Sequence, residues 1–231
     1  MEKVIRKLSK DITKQIYLAI AFSKECNYKC AYCHPFGESK ITHGRNLSEK
    51  EIKEVIDASI ETGFEVFRFT GGECTLLPWF GNILEYTLKQ KPSVYVNICT
   101  NGSTIKKYIN LFEQYKDRIS LRVSLDSTNE RHRKFGFYKI LTKSLKSSLN
   151  ELSKRKIPTR FNVLVTQQNK LEVYKIINLA IRLRFDVKLL DLYTQDKYIA
   201  THGATENKKR LLKIKPSEYW KRNYVNLNEF V

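Results

Sequence analysis

Three closely spaced cysteines are the residues of this chain best suited to chemistry. Cys26, Cys30 and Cys33 have the spacing C-x3-C-x2-C and follow an apolar run at residues 16–22 that predicts a buried strand. Three thiolates on one loop can hold three irons of a [4Fe–4S] cluster and leave the fourth iron open to a small molecule. A zinc site would need a fourth ligand, and His34 is awkwardly placed beside Cys33 for that role. The spacing therefore favours an iron–sulfur cluster over zinc or purely structural thiols.

A Gly-Gly-Glu turn follows the next strand-like run. The segment F-T-G-G-E-C-T-L occupies residues 69–76, after a strand predicted from residue 65. Gly71 and Gly72 carry no side chains, so the backbone of this turn could approach a ligand closely, although such a segment is more often a plain turn. Alone, such a turn is weak evidence, but its position after the cysteine loop makes the pair of motifs specific. Together they resemble the signature of the radical S-adenosylmethionine (SAM) superfamily.

The resemblance implies two cofactors and a reaction. The three cysteines would hold a [4Fe–4S] cluster whose free iron chelates SAM, and the backbone around Gly71, Gly72 and Glu73 would engage the methionine amino group. One electron given to SAM would yield a 5′-deoxyadenosyl radical that abstracts hydrogen from the substrate, so an electron donor such as flavodoxin or ferredoxin is an implied partner. The family usually has proline after the glutamate; this chain has Cys74, whose role stays open.

Within that superfamily, residues 15–194 are most similar to the cyclic pyranopterin synthase group of molybdenum-cofactor biosynthesis. Carried over by position, the SAM contacts would be Tyr32, Gly72 and Ser124. The residues that match substrate contacts would be Arg68, Thr100 and Arg160. Those enzymes carry a second cluster on later cysteines, whereas no cysteine follows Cys99 here, so we do not expect the same GTP chemistry. An arginine expected in the first strand is replaced by Tyr17.

Length, composition and charge fit one α/β enzyme domain. We divide the 231 residues into a core at residues 1–195 and a basic, aromatic C-terminal extension at residues 196–231 that packs on it. The sequence contains no apolar run of about 18 residues, so we predict no membrane span. The few cysteines suit the reducing cytoplasm better than a disulfide framework. The net charge of +18 favours an anionic partner such as a phosphorylated metabolite, a nucleotide or RNA.

Apolar runs and helical spacing alternate along the chain. Strands are predicted at residues 16–22, 65–70, 94–100, 120–125, 159–165 and 187–192. Helices are predicted between them, including one that begins in a capping box at Ser48, one over residues 138–154 and one over residues 171–183 capped by Asn169. This pattern predicts a parallel sheet and a partial (βα)6 TIM-like barrel with the helices outside. The motifs then lie at strand ends, where such barrels place their active sites.

Three functional classes remain open from the sequence. The first is a radical SAM enzyme acting on an anionic small molecule or a nucleotide-like substrate. The second is a radical SAM enzyme that modifies RNA or a peptide, and the third is a non-catalytic iron–sulfur or zinc module. The further strand-end motifs at residues 100–102 and 124–126 favour an enzyme. His34 and His43, near the cysteine loop, have no assigned role.

Overall fold

The computed structural model describes residues 17–30, 32–33, 47–166 and 168–191, and its centre is a six-stranded sheet. The strands are β1 (Leu18–Ala21), β2 (Val66–Thr70), β3 (Tyr95–Thr100), β4 (Ile119–Ser124), β5 (Thr159–Val165) and β6 (Asp186–Asp191). All neighbours are parallel and their order in space is their order along the chain, as successive βα units build a barrel wall. The predicted α/β fold, a partial (βα)6 TIM-like barrel, is confirmed. His34, His43 and the extension predicted at residues 196–231 lie outside the described residues.

Five α-helices follow the strands within the described part of the chain. They are α1 (Glu49–Glu61), α2 (Phe80–Gln90), α3 (Ile105–Gln114), α4 (Lys143–Lys154) and α5 (Val173–Leu183). Each has apolar side chains at helical spacing; α1, for example, buries Ile52, Ile56 and Ile60. Its predicted capping box is present, because Ser48 and Glu51 each accept the other's backbone N–H. None of these helices is long and apolar enough to cross a membrane.

The two faces of the sheet have different chemistry, since alternate side chains of a strand point in opposite directions. The outer face packs with the helices into one apolar core. Its buried strand residues include Phe67, Phe69, Val96, Ile98, Leu121, Val123, Phe161 and Val163. The inner face carries partly accessible polar side chains instead. They include Arg68, Cys99, Arg122, Arg160 and Asn162. The inner face is therefore the wall on which a site can be built.

The helix predicted over residues 138–154 begins later than expected. The chain before α4 pairs with the loop that follows β4, because the Asp126 N–H donates to the Lys139 carbonyl oxygen at 2.8 Å. Thr142 then caps α4 with its side-chain oxygen. The early part of the prediction was wrong because this pairing joins residues far apart in sequence, which local periodicity does not report.

Asn169 has a different role from the helix cap predicted for it. The helix α5 begins at Val173, and the buried Asn169 side chain bridges separate backbone segments. Its amide nitrogen donates to the carbonyl oxygens of Asp126 (2.7 Å) and Leu164 (2.6 Å). Its amide oxygen accepts the Thr166 backbone N–H at 2.7 Å. Asn169 thereby fastens the end of β5 to the loop after β4.

Replacing Asn169 with alanine should lower the free energy of unfolding by about 3 kcal/mol, because three backbone groups in a largely buried place lose their partner. Urea denaturation followed by circular dichroism measures the change. Asn178→Ala is the matched control: Asn178 is exposed on α5, and its loss should change stability by less than about 0.5 kcal/mol. Equal stability of Asn169→Ala and wild type would show that the bridge contributes nothing net.

Candidate functional site

The cysteine loop after β1 lies among hydrogen-bond donors that point at sulfur. The Cys26 thiol accepts the Tyr28 backbone N–H (3.4 Å) and the Asn101 side-chain amide (3.7 Å). Cys30 is buried. Burial raises the pKa of the Cys30 thiol, while a nearby lysine and the hydrogen bonds oppose that shift. Hydrogen bonds to sulfur are among the features by which proteins adjust the reduction potentials of iron–sulfur clusters.

The Gly-Gly-Glu turn after β2 is bonded directly to the cysteine loop. The Gly72 N–H donates to the Ser23 carbonyl oxygen (2.7 Å), and the Glu73 N–H donates to that of Glu25 (2.8 Å). A Cβ added to Gly72 would lie 2.1 Å from the Glu25 oxygen. One added to Gly71, whose φ is +135°, would lie 2.4 Å from the Ser23 oxygen. We expected these glycines to admit a ligand; the structure shows that they admit the backbone just before the first cysteine.

The carboxylate of Glu73 joins this turn to the end of β3. It is buried and accepts hydrogen bonds from the Thr75 hydroxyl, the Thr100 hydroxyl (2.7 Å) and the Asn101 backbone N–H. Burial raises the pKa of Glu73, and the hydrogen bonds from Asn101, Thr75 and Thr100 oppose the rise. Thr100, predicted at the substrate, therefore has its hydroxyl on Glu73.

Asn101 links the end of β3 to the cysteine loop. Its amide nitrogen donates to Asn27 Oδ1 (2.8 Å) as well as to the Cys26 sulfur, and its amide oxygen accepts the Ser103 N–H (2.9 Å). Gly102 follows with a φ of +85°, which glycine adopts without strain. The Thr-Asn-Gly segment is thus both a turn and a contact to the first cysteine.

The end of β4 meets the cysteine loop through a buried pair. The Tyr32 hydroxyl donates to Asp126 Oδ2, and the Leu164 N–H donates to Asp126 Oδ1 at 2.7 Å. Burial raises the pKa of Asp126, against the opposing charge of Lys139. Burial and then Asp126 hold the pKa of Tyr32 well above its usual range. Ser124, predicted with Tyr32 at SAM, lies partly exposed at the end of β4, two residues before Asp126.

Three arginines share the inner face of the sheet below these strand ends: Arg68, Arg122 and Arg160. Arg122 is the register neighbour of both Cys99 and Arg160, and its guanidinium donates to Asn97 Oδ1 at 2.6 and 3.1 Å. Burial, followed by the charges of Arg160 and Arg68, lowers the pKa of Arg122. The Nε atoms of Arg68 and Arg160 are buried without a partner among the described residues. Guanidinium groups placed in this way suit an anion.

Arg68 is oriented by the residue that replaces an expected arginine. Its guanidinium carbon lies 3.8 Å from the centroid of the Tyr17 ring, a cation–π contact. Arg122 and Lys139 were not singled out from the sequence. Arg122 carried a faint signal, a basic residue at an alternate position of an apolar strand, whereas the place of Lys139 depends on loop packing that no motif reports.

The surroundings of the cysteine loop fit an iron–sulfur cluster. Its donors are three thiols outside any disulfide, the ligands that such clusters take, and two N–H groups point at the Cys26 sulfur. Within the described residues, no three His, Cys, Asp or Glu side chains are already gathered at metal-binding separations. The fit therefore rests on the chemistry of the donors and of the groups around them.

Known proteins are similar to this chain in sequence. The family model described as the Radical SAM superfamily matches residues 20–180. A GTP 3′,8-cyclase of Synechocystis sp. is 25% identical over 176 residues, which are 76% of this chain and 53% of that protein. A GTP 3′,8-cyclase of Vibrio cholerae is 36% identical over 122 residues, 51% of this chain and 36% of that protein. The chain thus spans about half the length of these curated relatives, or less.

A solved structure supports the fold independently. The structure of Streptococcus suis SuiB bound to S-adenosylmethionine matches with a TM-score of 0.65, covering 97% of this chain and 52% of that chain. At 18% identity the match shows a common fold and no more.

Gly72→Ala should distort the cysteine loop and lower the iron retained after anaerobic reconstitution. The added Cβ, 2.1 Å from the Glu25 oxygen, must displace the backbone next to Cys26, which costs about 1–3 kcal/mol. Gly81→Ala is the matched control, because a Cβ there comes no closer than 3.4 Å to its neighbours, the side chains of Tyr108 and Leu111. Iron and sulfide analysis measures the difference. A full cluster combined with lost SAM affinity in Gly72→Ala would make ligand approach the better reason for this glycine.

Proposed function

The chain belongs to the radical SAM superfamily, whose members use a [4Fe–4S] cluster and SAM, and we propose that it cleaves SAM reductively to act on an anionic small molecule or nucleotide-like substrate. The observation that carries the proposal is the bonding of the cysteine loop to the Gly-Gly-Glu turn above three inward arginines. The relatives named GTP 3′,8-cyclase suggest a nucleotide, but this chain matches only part of their length.

Cys26, Cys30 and Cys33 are the proposed cluster ligands. When bound, the cluster and SAM would supply an electron and a 5′-deoxyadenosyl radical able to take hydrogen from a carbon atom. The protein's part is to hold the thiolates: the Tyr28 N–H and the Asn101 side-chain amide stabilise negative charge on the Cys26 sulfur. Asn101 also ties the loop to the end of β3.

Tyr32, Gly71, Gly72, Glu73 and Ser124 are the residues proposed to hold SAM. The Glu73 carboxylate is already bonded within the protein, so we assign it a positioning role. An ammonium group needs acceptors, which the backbone carbonyl oxygens of the turn provide. Tyr32 contributes through its ring and backbone, because its hydroxyl is bonded to the end of β4.

Arg68 and Arg160 are the proposed contacts to an anionic group of the substrate, and Arg122 stands between them on the sheet. A planar guanidinium forms paired hydrogen bonds with phosphate or carboxylate. The buried Nε atoms of Arg68 and Arg160 offer donors that the described protein atoms leave unused. The Thr100 hydroxyl donates to Glu73, so we propose that Thr100 supports this wall by holding Glu73 in place.

Modification of RNA or a peptide is the alternative. The net charge of +18 supports RNA, whereas arginines on the inner face favour a group small enough to enter the barrel. A gel-shift experiment with RNA distinguishes the two. The proposal includes flavodoxin or ferredoxin as the electron donor and the cytoplasm as the location, since the reaction needs a reducing compartment.

Anaerobic reconstitution should yield about four irons and four sulfides per chain. Dithionite and SAM should then give 5′-deoxyadenosine and methionine, measured by liquid chromatography. Cys30→Ala should abolish both the cluster and the product, because one thiolate ligand is lost. Cys99→Ala removes a thiol on β3 outside the loop and should keep the iron content of the wild type. Full iron content in Cys30→Ala would refute the ligand assignment.

Inorganic pyrophosphate should bind the wild type at low ionic strength, and Arg160→Lys and Arg68→Lys should each weaken that binding about tenfold. Lysine does not reproduce the paired hydrogen bonds of a guanidinium. Titration calorimetry measures the affinity, with Arg182→Lys on the exposed side of α5 as the control. Uncoupled SAM cleavage should continue in both variants, since the cluster half of the site is intact. Equal affinity in all four proteins would contradict the substrate assignment.

A further inference from the structure

The segment between β4 and α4 brings a lysine to the cysteine loop. The Lys139 ammonium lies 5.3 Å from the centroid of the Tyr32 ring, and Tyr32 stands between Cys30 and Cys33 in the sequence. The ring of the preceding residue, Tyr138, lies 6.5 Å from that of Tyr28, which stands between Cys26 and Cys30. This stretch of chain is therefore in direct contact with the loop, and Lys139 is its charged residue there.

Lys139 is held in place by its backbone and by surrounding negative charge. Its carbonyl oxygen accepts the Asp126 N–H at 2.8 Å. Its ammonium is attracted first by the Asp126 carboxylate and then by all three cysteine sulfurs. Burial acts to lower the pKa of Lys139, but the charge of Asp126 and then the cysteine sulfurs outweigh it and raise the pKa overall. Neither the motifs nor the family resemblance assigned this lysine a role.

We propose that the Lys139 ammonium stabilises the reduced form of a [4Fe–4S] cluster on this loop and so raises its reduction potential. The inference rests on the proposed function only in requiring that a cluster forms. Reduction adds one negative charge to a group already surrounded by thiolates, so a nearby cation stabilises the reduced form more than the oxidised form. Lys139 thus affects the reaction only indirectly, through the reduction potential of the cluster.

Asp126 has the opposite electrostatic effect at the same place. Its carboxylate accepts a hydrogen bond from the hydroxyl of Tyr32, the residue between Cys30 and Cys33 on the loop, and negative charge there disfavours reduction. The two side chains therefore form a pair whose members shift the potential in opposite directions. A merely structural role for either residue predicts no such difference in sign.

Potentiometric titration of the reconstituted protein, followed by electron paramagnetic resonance, tests the proposal. Lys139→Met should shift the midpoint to a more negative potential, by about 59 mV if reduction becomes tenfold less favourable in this one-electron step. Lys139→Arg keeps the charge and should stay near the wild type. Lys143→Met removes an exposed lysine at the start of α4 and should leave the potential unchanged.

Asp126→Asn should shift the midpoint in the positive direction. An unchanged potential in Lys139→Met at full iron content, or shifts of one sign in Lys139→Met and Asp126→Asn, would overturn the proposal. If Lys139→Met does not retain iron, Lys139→Gln and Asp126→Asn decide by the same criterion. Failure of the wild type to form any cluster, seen in the iron analysis beforehand, would overturn the proposed function itself and this inference with it.

Discussion

The backbone hydrogen bonds between the Gly-Gly-Glu turn and the cysteine loop are the constraint on which the site depends. The described part of the cysteine loop forms no helix or strand, so its polar backbone groups need partners elsewhere. The N–H groups of Gly72 and Glu73 provide them at Ser23 and Glu25, and thereby extend the β1–β2 pairing beyond the ends of the strands. Only a residue without a Cβ allows this approach at Gly72. Backbone packing alone therefore requires glycine at position 72, whether or not a ligand binds there.

Two buried acidic residues connect the strand ends to one another and to the cysteine loop. Glu73 joins β2 to β3, and Asp126 joins β4 to Tyr32 on the cysteine loop. In a sequence, such carboxylates at strand ends resemble candidates for acid–base catalysis. In the structure their oxygens accept hydrogen bonds from neighbouring backbone and hydroxyl groups, which is how a buried carboxylate is stabilised. Neither carboxylate is therefore free to act as a catalytic acid or base, and the arginines of the inner face are the groups left for a ligand.

The fold could be predicted because its pattern is local. Every predicted strand overlaps an observed one to within two residues at each end, since continuous apolar runs between helices define parallel strands without tertiary information. The cysteine loop and the Gly-Gly-Glu turn were visible for the same reason. The start of α4, the bridge made by Asn169 and the place of Lys139 were not visible, because each depends on a hydrogen bond or contact between residues distant in sequence. Register likewise places Arg122 beside Arg160, which spacing along one strand does not show.

Total charge was a poor guide to function, because it does not say where in the structure the charged side chains lie. The net charge of +18 is compatible with any anionic partner. Several helix lysines, such as Lys53 and Lys89, are paired with glutamates four residues away, and exposed pairs of this kind contribute little to stability or recognition. Within the described residues no carboxylate pairs with Arg68, Arg122 or Arg160. Because like charges held together on a partly buried wall repel, an anion bound there is stabilised more than one at the surface. The placement of these few cations, and not their sum over the chain, determines which ligand the barrel can take.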